Sequence, residues 1–299
     1  MQRVNCYLCD ADDYRVVFAA KTPETGLTAD HLAARKGPIN KQYSYTWVKC
    51  RSCGLLYANP APTEEALRGL YSISEQGGYS AEEDNLSYTY GKYLNKFSNY
   101  FTRKRSALDI GSGSGFFLKE LLKFGFQEVR GIEPSIAACE TAPYDVRPML
   151  LNKAYNEKDF GPGTIDFISC FQTLEHIARP DKLIESFSNI LSKGGIIFCV
   201  AHNAGTMGVK ILGARHPIVN AGHLTLFDNK TLQKLFLRHF EVLEVFSIGN
   251  RYSLRYWISL LPIGERGKTF LLKISTTLKM DMVPLEMKLG NIGIIARKN

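Results

Sequence analysis

The stretch that most constrains this chain is Ala107-Leu108-Asp109-Ile110-Gly111-Ser112-Gly113-Ser114-Gly115-Phe116-Phe117. An apolar run leads into glycines at every second position, and a helical pattern follows through Leu118, Leu121, Leu122 and Phe124. Strand, tight turn and helix in that order open an α/β nucleotide-binding unit. Glycine serves where the main chain takes positive φ or a ligand must approach it closely. Amides at the start of the helix are then expected to face the ligand. The spacing narrows the choice of ligand. A dinucleotide fingerprint counted from Gly111 needs a glycine where Phe116 stands. Instead Asp109 lies two residues before the first glycine, where it would repel a pyrophosphate and suit a cationic amine. Glu133 ends the next predicted strand, over 128–132, where an acid hydrogen-bonds a ribose diol.

With these two acids in place the chain resembles the class I S-adenosylmethionine-dependent methyltransferases. The likeness continues in Ile165-Asp166-Phe167-Ile168-Ser169-Cys170-Phe171-Gln172-Thr173-Leu174-Glu175-His176, similar to the family's fourth-strand signature ending in Leu-Glu-His. Leu191-Ser192-Lys193-Gly194-Gly195 is similar to its turn before strand five, with Ser192-Lys193 in place of a residue and proline. The resemblance implies an α/β, Rossmann-like fold with a mostly parallel seven-stranded sheet whose strand seven is antiparallel. It implies S-adenosylmethionine as cofactor, held by Asp109, Gly111, Ser112, Gly113, Gly115, Phe116, Glu133 and Pro134. Strand three is expected over 146–151, which puts Asn152, Lys153 and Ala154 at the adenine. Ligands of open parallel sheets bind beyond the strands' carboxyl ends, which adds Phe171 and Gln172. Residues 63–105 read as a helical linker and cap carrying several tyrosines, of which Tyr79 and Tyr90 are the candidates to face the methionine end. Any one of these phenols serves packing as readily.

Toward the N-terminus, Cys6-x-x-Cys9 and Cys50-x-x-Cys53 offer four thiolates to one tetrahedral zinc. A redox pair is the alternative, but it expects a single Cys-x-x-Cys on a thioredoxin-like unit. Residues 1–62 therefore read as a small zinc-ribbon module with structural zinc, ahead of a catalytic domain over 106–299. A zinc module before such a domain resembles enzymes of bacterial polysaccharide and secondary-metabolite biosynthesis. Seven cysteines and no apolar leader point to a reducing cytoplasm.

Methylation of a hydroxyl needs a base for its proton. His202, after strand five, and His223, in Gly222-His223-Leu224-Thr225-Leu226-Phe227, are the catalytic candidates, with Glu175 and His176 read as architecture. For each histidine a hydrogen-bonded structural role is the competing reading. Residues 203–222 read as a substrate loop and Asp228 as the cap of a following helix. An insertion over 249–290 separates strands six and seven, with roles open as a substrate cap, a dimer contact or a peripheral membrane contact. The formal charge of +8 is dispersed and suits phosphorylated small substrates as well as nucleic acid. The leading reading is methyl transfer to a small molecule: a sugar, a secondary-metabolite precursor or a lipid-linked intermediate. A nucleic-acid methyltransferase ranks below it, because Cys170-Phe171-Gln172-Thr173 does not match the Asn/Asp-Pro-Pro-Tyr/Phe motif of base-modifying enzymes. A non-catalytic cofactor-binding subunit ranks third.

Overall fold

The computed structural model describes residues 1–20, 45–63, 65–67, 82–261 and 263–299. Tyr79 lies outside the described residues. In chain order the strands and helices begin with β1 (Tyr14–Phe18), β2 (Trp47–Cys50), β3 (Leu56–Ala58) and α1 (Glu83–Lys96). Then come β4 (Ser106–Ile110), α2 (Leu118–Phe124), β5 (Glu128–Ile132), α3 (Ile136–Glu140), β6 (Leu150–Leu151), β7 (Ile165–Phe171), α4 (Pro180–Ile190) and β8 (Leu191–His202). The remainder is α5 (Met207–Leu212), β9 (Thr225–Leu226), α6 (Asn229–Phe236), β10 (Glu241–Ser247), β11 (Asn250–Ser253), α7 (Leu254–Leu260), α8 (Glu265–Thr277), β12 (Pro284–Met287) and β13 (Asn291–Arg297).

The central sheet has seven strands in the order β10-β13-β8-β7-β4-β5-β6. β4 pairs in parallel with β5 on one side and β7 on the other, so the chain reverses its direction of travel across the sheet at β4. Such a switch opens a crevice at the strands' carboxyl ends. β13 runs antiparallel between β8 and β10, as expected of strand seven. β7 is buried along its whole length, the pattern of a central strand covered on both faces. One apolar cluster, with Leu108, Ile168, Phe187 and Leu235, fills one side of the sheet. A second, with Phe117, Phe167, Phe198 and Phe97, fills the other.

Three elements depart from expectation. Strand three was predicted over 146–151, but only Leu150 and Leu151 pair with β5. Arg147–Met149 forms a 3-10 turn, because Pro148 presets a helical φ and has no N–H to offer an edge ladder. α2 does not follow the glycine turn directly but begins at Leu118, because Gly115 takes a left-handed φ of +76°, and Gly125 at φ +107° closes it. Finally, the N-terminal sheet is not built from the N-terminal module alone. Its order is β1-β2-β3-β9, and β9 comes from beyond β8, pairing Leu226 with Leu56 and Thr225 with Tyr57. Asp228 ends that crossing by capping α6: its carboxylate accepts from the Thr231 amide at 2.8 Å, while the Thr231 hydroxyl accepts from the Asp228 amide at 2.9 Å. Such a cap is worth about 1 kcal/mol.

Candidate active site and cysteine cluster

The glycine turn is a packing solution first. Gly111, Gly113 and Gly115 all have positive φ. A methyl group on Gly111 would stand 2.2 Å from the Thr173 hydroxyl, and one on Gly115 would stand 2.5 Å from Val146. At Gly113 it would meet nothing within 4 Å, so of the three this glycine has open space over its α-carbon. Three amides of the loop are engaged within the protein. Gly111 and Ser112 donate to the Ile132 carbonyl at 2.9 and 3.1 Å, and Gly113 donates to the Glu133 carboxylate at 3.0 Å. Ser112 packs against Gly131, where an added methyl would lie 2.6 Å from its hydroxyl.

Glu133 thus staples the loop to the end of β5, its other oxygen accepting from the Ser135 amide at 2.8 Å. Asp109 lies beneath the loop and is only 2% exposed. Ser169 of β7 donates a 2.6 Å hydrogen bond to it. Burial pushes the Asp109 carboxyl up to about 7; the Ser169 bond pulls it back and the Glu133 charge adds to the rise. Pro134 and Phe116 are half-buried nearby. Asn152, Lys153 and Ala154 are exposed at the end of β6. Asn152 donates to the Glu133 carbonyl at 2.9 Å and Lys153 pairs with Asp159 at 2.8 Å. Tyr90 comes down from α1 with its ring centroid 4.1 Å from that of Phe171, and Phe117 meets Phe171 edge-on at 4.9 Å. Gln172, the next residue, has a left-handed φ of +52°. Its backbone amide donates to the Val200 carbonyl, yet both polar atoms of its side chain are buried without a partner. Strain and an orphaned amide at a switch point mark a place built for something else to bind.

A group of histidines stands beyond the ends of β7 and β8. Ring centroids of His176 and His223 are 4.7 Å apart, and those of His202 and His223 are 5.0 Å apart. Nδ1 of His176 faces the Gly222 carbonyl and Nδ1 of His223 faces that of Ile218. A nitrogen facing a carbonyl oxygen carries the proton, which puts the basic lone pair on Nε2. Nδ1 of His202 lies 3.0 Å from the amide oxygen of Asn291, the residue opposite it across β8 and β13. The wholly buried Glu175 accepts from the His202 backbone amide; burial raises its pKa and His202 opposes that rise. A fourth ring, His216, is held below its usual pKa by burial and by the charge of His202. The sequence singled out His202 and His223, and the fold brings them together. His176, read as architecture, joins them. His216 and Asn291 were missed, though a loop bracketed by histidines at 202 and 223 with a third inside it was a usable signal for the first.

Cys6, Cys9, Cys50 and Cys53 also converge, with all four sulfurs within 4.8 Å of one another. Sγ of Cys6 lies 3.3 Å from that of Cys53, and Sγ of Cys9 lies 3.5 Å from that of Cys50. Each Cys-x-x-Cys turn closes on a left-handed residue, Asp10 at φ +57° and Gly54 at φ +86°. Burial opposes ionisation of Cys50, but the amides of Cys53 and Ser52 and the Cys9 thiol hold its pKa down to about 7. Burial raises that of Cys53 to about 11. Sulfurs on a tetrahedral zinc sit roughly 3.8 Å apart for bonds of about 2.3 Å, so the donor set and its spacing fit that ion.

A glycine turn after β4, an acid at the end of β5 and this strand order define the Rossmann-like methyltransferase fold. Residues 83–245, more than half of the chain, match the family model described as methyltransferase domain. The chain belongs to that family and carries an S-adenosylmethionine-dependent methyltransferase domain. A ubiquinone biosynthesis O-methyltransferase of Cupriavidus pinatubonensis is 25% identical over 122 residues, 38% of this chain and 48% of that protein. One from Methylococcus capsulatus is 30% identical over 100 residues, 31% of this chain and 42% of that protein. The chain spans about half the length of the curated relatives it matches. A Bacillus halodurans protein described as a methyltransferase has a similar solved structure, with a TM-score of 0.49 at 15% identity over 69% of this chain and 99% of that one.

Proposed function

We propose that the protein transfers the methyl group of S-adenosylmethionine to a hydroxyl of a small molecule, a sugar, secondary-metabolite or lipid-linked precursor. The observation that carries this reading is the convergence of His176, His202 and His223 at the ends of β7 and β8, the strands that also bear the partnerless amide of Gln172. The names of the relatives, O-methyltransferases of ubiquinone biosynthesis, support oxygen as the acceptor atom.

S-adenosylmethionine supplies a methyl group on a sulfonium. Glu133 would hold its ribose, Asn152 to Ala154 its adenine, and Gln172 with the open face of Gly113 the remainder. Asp109, set beneath the loop, counters the ammonium as a charge rather than as an exposed ligand. The Tyr90, Phe171 and Phe117 rings keep water from the cofactor end, which favours alignment and desolvation, the main contributions to an in-line displacement. Nε2 of His202 or His223 would take the proton of the acceptor hydroxyl and release it to solvent. Asn291 orients His202, and the Ile218 carbonyl fixes the tautomer of His223.

Zinc on Cys6, Cys9, Cys50 and Cys53 has a structural role in this reading. The Ala58 amide donates to the Leu224 carbonyl at 2.9 Å, one residue from His223, so the cysteine-held sheet also steadies a catalytic ring. Metal analysis tests it: Cys6→Ser should lose zinc and activity together, and full metal content would remove Cys6 from the ligand set.

The substrate reading is tested with methyl-labelled S-adenosylmethionine, purified protein and a cell extract separated into polar metabolites, lipids and RNA. Label in the polar or lipid fraction is expected. Label confined to RNA would overturn the proposal and make the zinc module a nucleic-acid clamp.

A further inference from the structure

The 249–290 insertion wears its apolar side outward. Of twenty large hydrophobic side chains exposed among the described residues, eleven lie between Leu260 and Leu289. α8 is the centre of this patch, and its only buried residue is Ser275. Phe270, Ile274 and Leu278, spaced four apart and so on one stripe, are 64%, 42% and 62% exposed. Met282 and Leu289 extend the patch at 58% and 59%. A helix packed by its own hydrophobic pattern would bury that stripe; here it is presented to solvent.

Cations fringe the stripe. Arg266, Lys273, Lys279 and Lys288 are exposed and have no carboxylate within ion-pairing distance among the described residues. Of the insertion's three acids, Glu265 pairs with Lys268 and Glu286 pairs with Lys92 of α1, which leaves Asp281 against these four cations. Exposed aromatic and aliphatic side chains ringed by unneutralised Lys and Arg complement an anionic lipid surface, with the apolar groups entering the acyl boundary and the cations meeting headgroups. A second copy of this chain fits less well, because a two-fold contact through the patch would bring the same cations face to face. No helix among the described residues is long and apolar enough to cross a membrane, so the geometry is that of a helix lying on the bilayer.

We propose that the lobe formed by α7, α8 and the β11–β12 hairpin docks this protein on an anionic membrane surface. The lobe is anchored to the domain rather than dangling from it. Thr89 of α1 accepts from the Arg251 amide at 3.1 Å, Glu82 accepts from the Ser253 amide and hydroxyl, and the Tyr93 hydroxyl accepts from the Gly249 amide at 2.8 Å. α1 also carries Tyr90 onto the cofactor end, so a docked lobe holds the crevice one helix away from the lipid. Docking itself does not depend on the acceptor proposed above.

Flotation of the full chain with phosphatidylglycerol–phosphatidylcholine vesicles, and with phosphatidylcholine alone, tests this. Binding to the anionic vesicles is expected, weakening with salt. The triple variant Phe270→Ser/Ile274→Ser/Leu278→Ser should lose at least tenfold in vesicle affinity. Arg266→Glu/Lys273→Glu should lose at least fivefold for each charge reversed, on the scale of one cation at such a surface. Cofactor affinity, unchanged in both variants, reports that they fold. Absence of wild-type binding to anionic vesicles would overturn the proposal. So would binding that neither variant weakens, or a lipid-free dimer that the triple variant dissociates.

Discussion

The two halves of the crevice are built by opposite means. On the proposed cofactor side the parts are adjacent in the chain: β4, the glycine turn and Glu133 fall within a single βαβ unit, and the main chain makes most of the bonds. On the proposed acceptor side the parts are side chains from distant segments, His176 after β7, His202 ending β8, His223 before β9 and Asn291 opening β13. A local, backbone-made site can be shared by many proteins with one ligand in common. A side-chain site assembled across the sheet can be altered one residue at a time, which suits the part that must differ between acceptors.

The sharpest test of this division is to remove one histidine. His202→Ala or His223→Ala should lower kcat by about 10²–10⁴-fold, the usual worth of a general base, while the Kd for S-adenosylmethionine stays within about twofold. A parallel loss of cofactor affinity would erase the boundary between the halves. The converse is Asp109→Ala, for which calorimetric titration should show cofactor affinity falling about a hundredfold, the order expected for a buried charge left without its counterpart. Undiminished affinity would remove Asp109 from the cofactor side.

Two glycines separate packing from binding within the cofactor half. Gly111→Ala should cost about 2–3 kcal/mol in chemical denaturation, because left-handed strain adds to a clash with Thr173. Gly113→Ala should cost only about 1 kcal/mol of stability, since its side chain enters open space, yet it should weaken the cofactor at least as much as the first variant. Undiminished cofactor affinity in Gly113→Ala would mean that the space over Gly113 is not a ligand's.

The smallest effect is in pH. Burial raises the Asp109 pKa to about 7, so the folded state holds this proton more tightly than the unfolded one. Its contribution to stability therefore falls as pH rises from the ordinary carboxylate range through about 7 and is level above that. A cofactor ammonium favours the ionised form, so affinity should rise, at most about tenfold, between about pH 6 and 7.5. Asp109→Asn should flatten that slope.

Much of the cofactor half was legible because its constraints are local. Gly111 and Gly115 are required by φ and by neighbours a turn or one strand away, and Glu133 by the length of one βα unit. The pairing of the two Cys-x-x-Cys turns was legible from chemistry, since four thiols at that spacing have few other uses. The histidine group was only half legible. His202 and His223 stood out beside recognisable elements, whereas His216 lay in a loop without periodicity and Asn291 had no signal until β13 was laid antiparallel against β8. Strand three was over-read because an apolar alternation cannot report that Pro148 starts a tight turn.

By itself the sequence determined the α/β class, the glycine turn, the two acids and the cysteine pairs, since each follows from torsional preference or side-chain chemistry within a short span. Tertiary structure alone decided that Asp109 is covered, that β9 completes the N-terminal sheet beside His223, and that the face of α8 bearing Phe270 and Ile274 is the one left to solvent. Periodicity shows that a helix has an apolar stripe, but whether that stripe is covered depends on what the rest of the chain brings against it. That is a property of long-range packing, which no local pattern encodes.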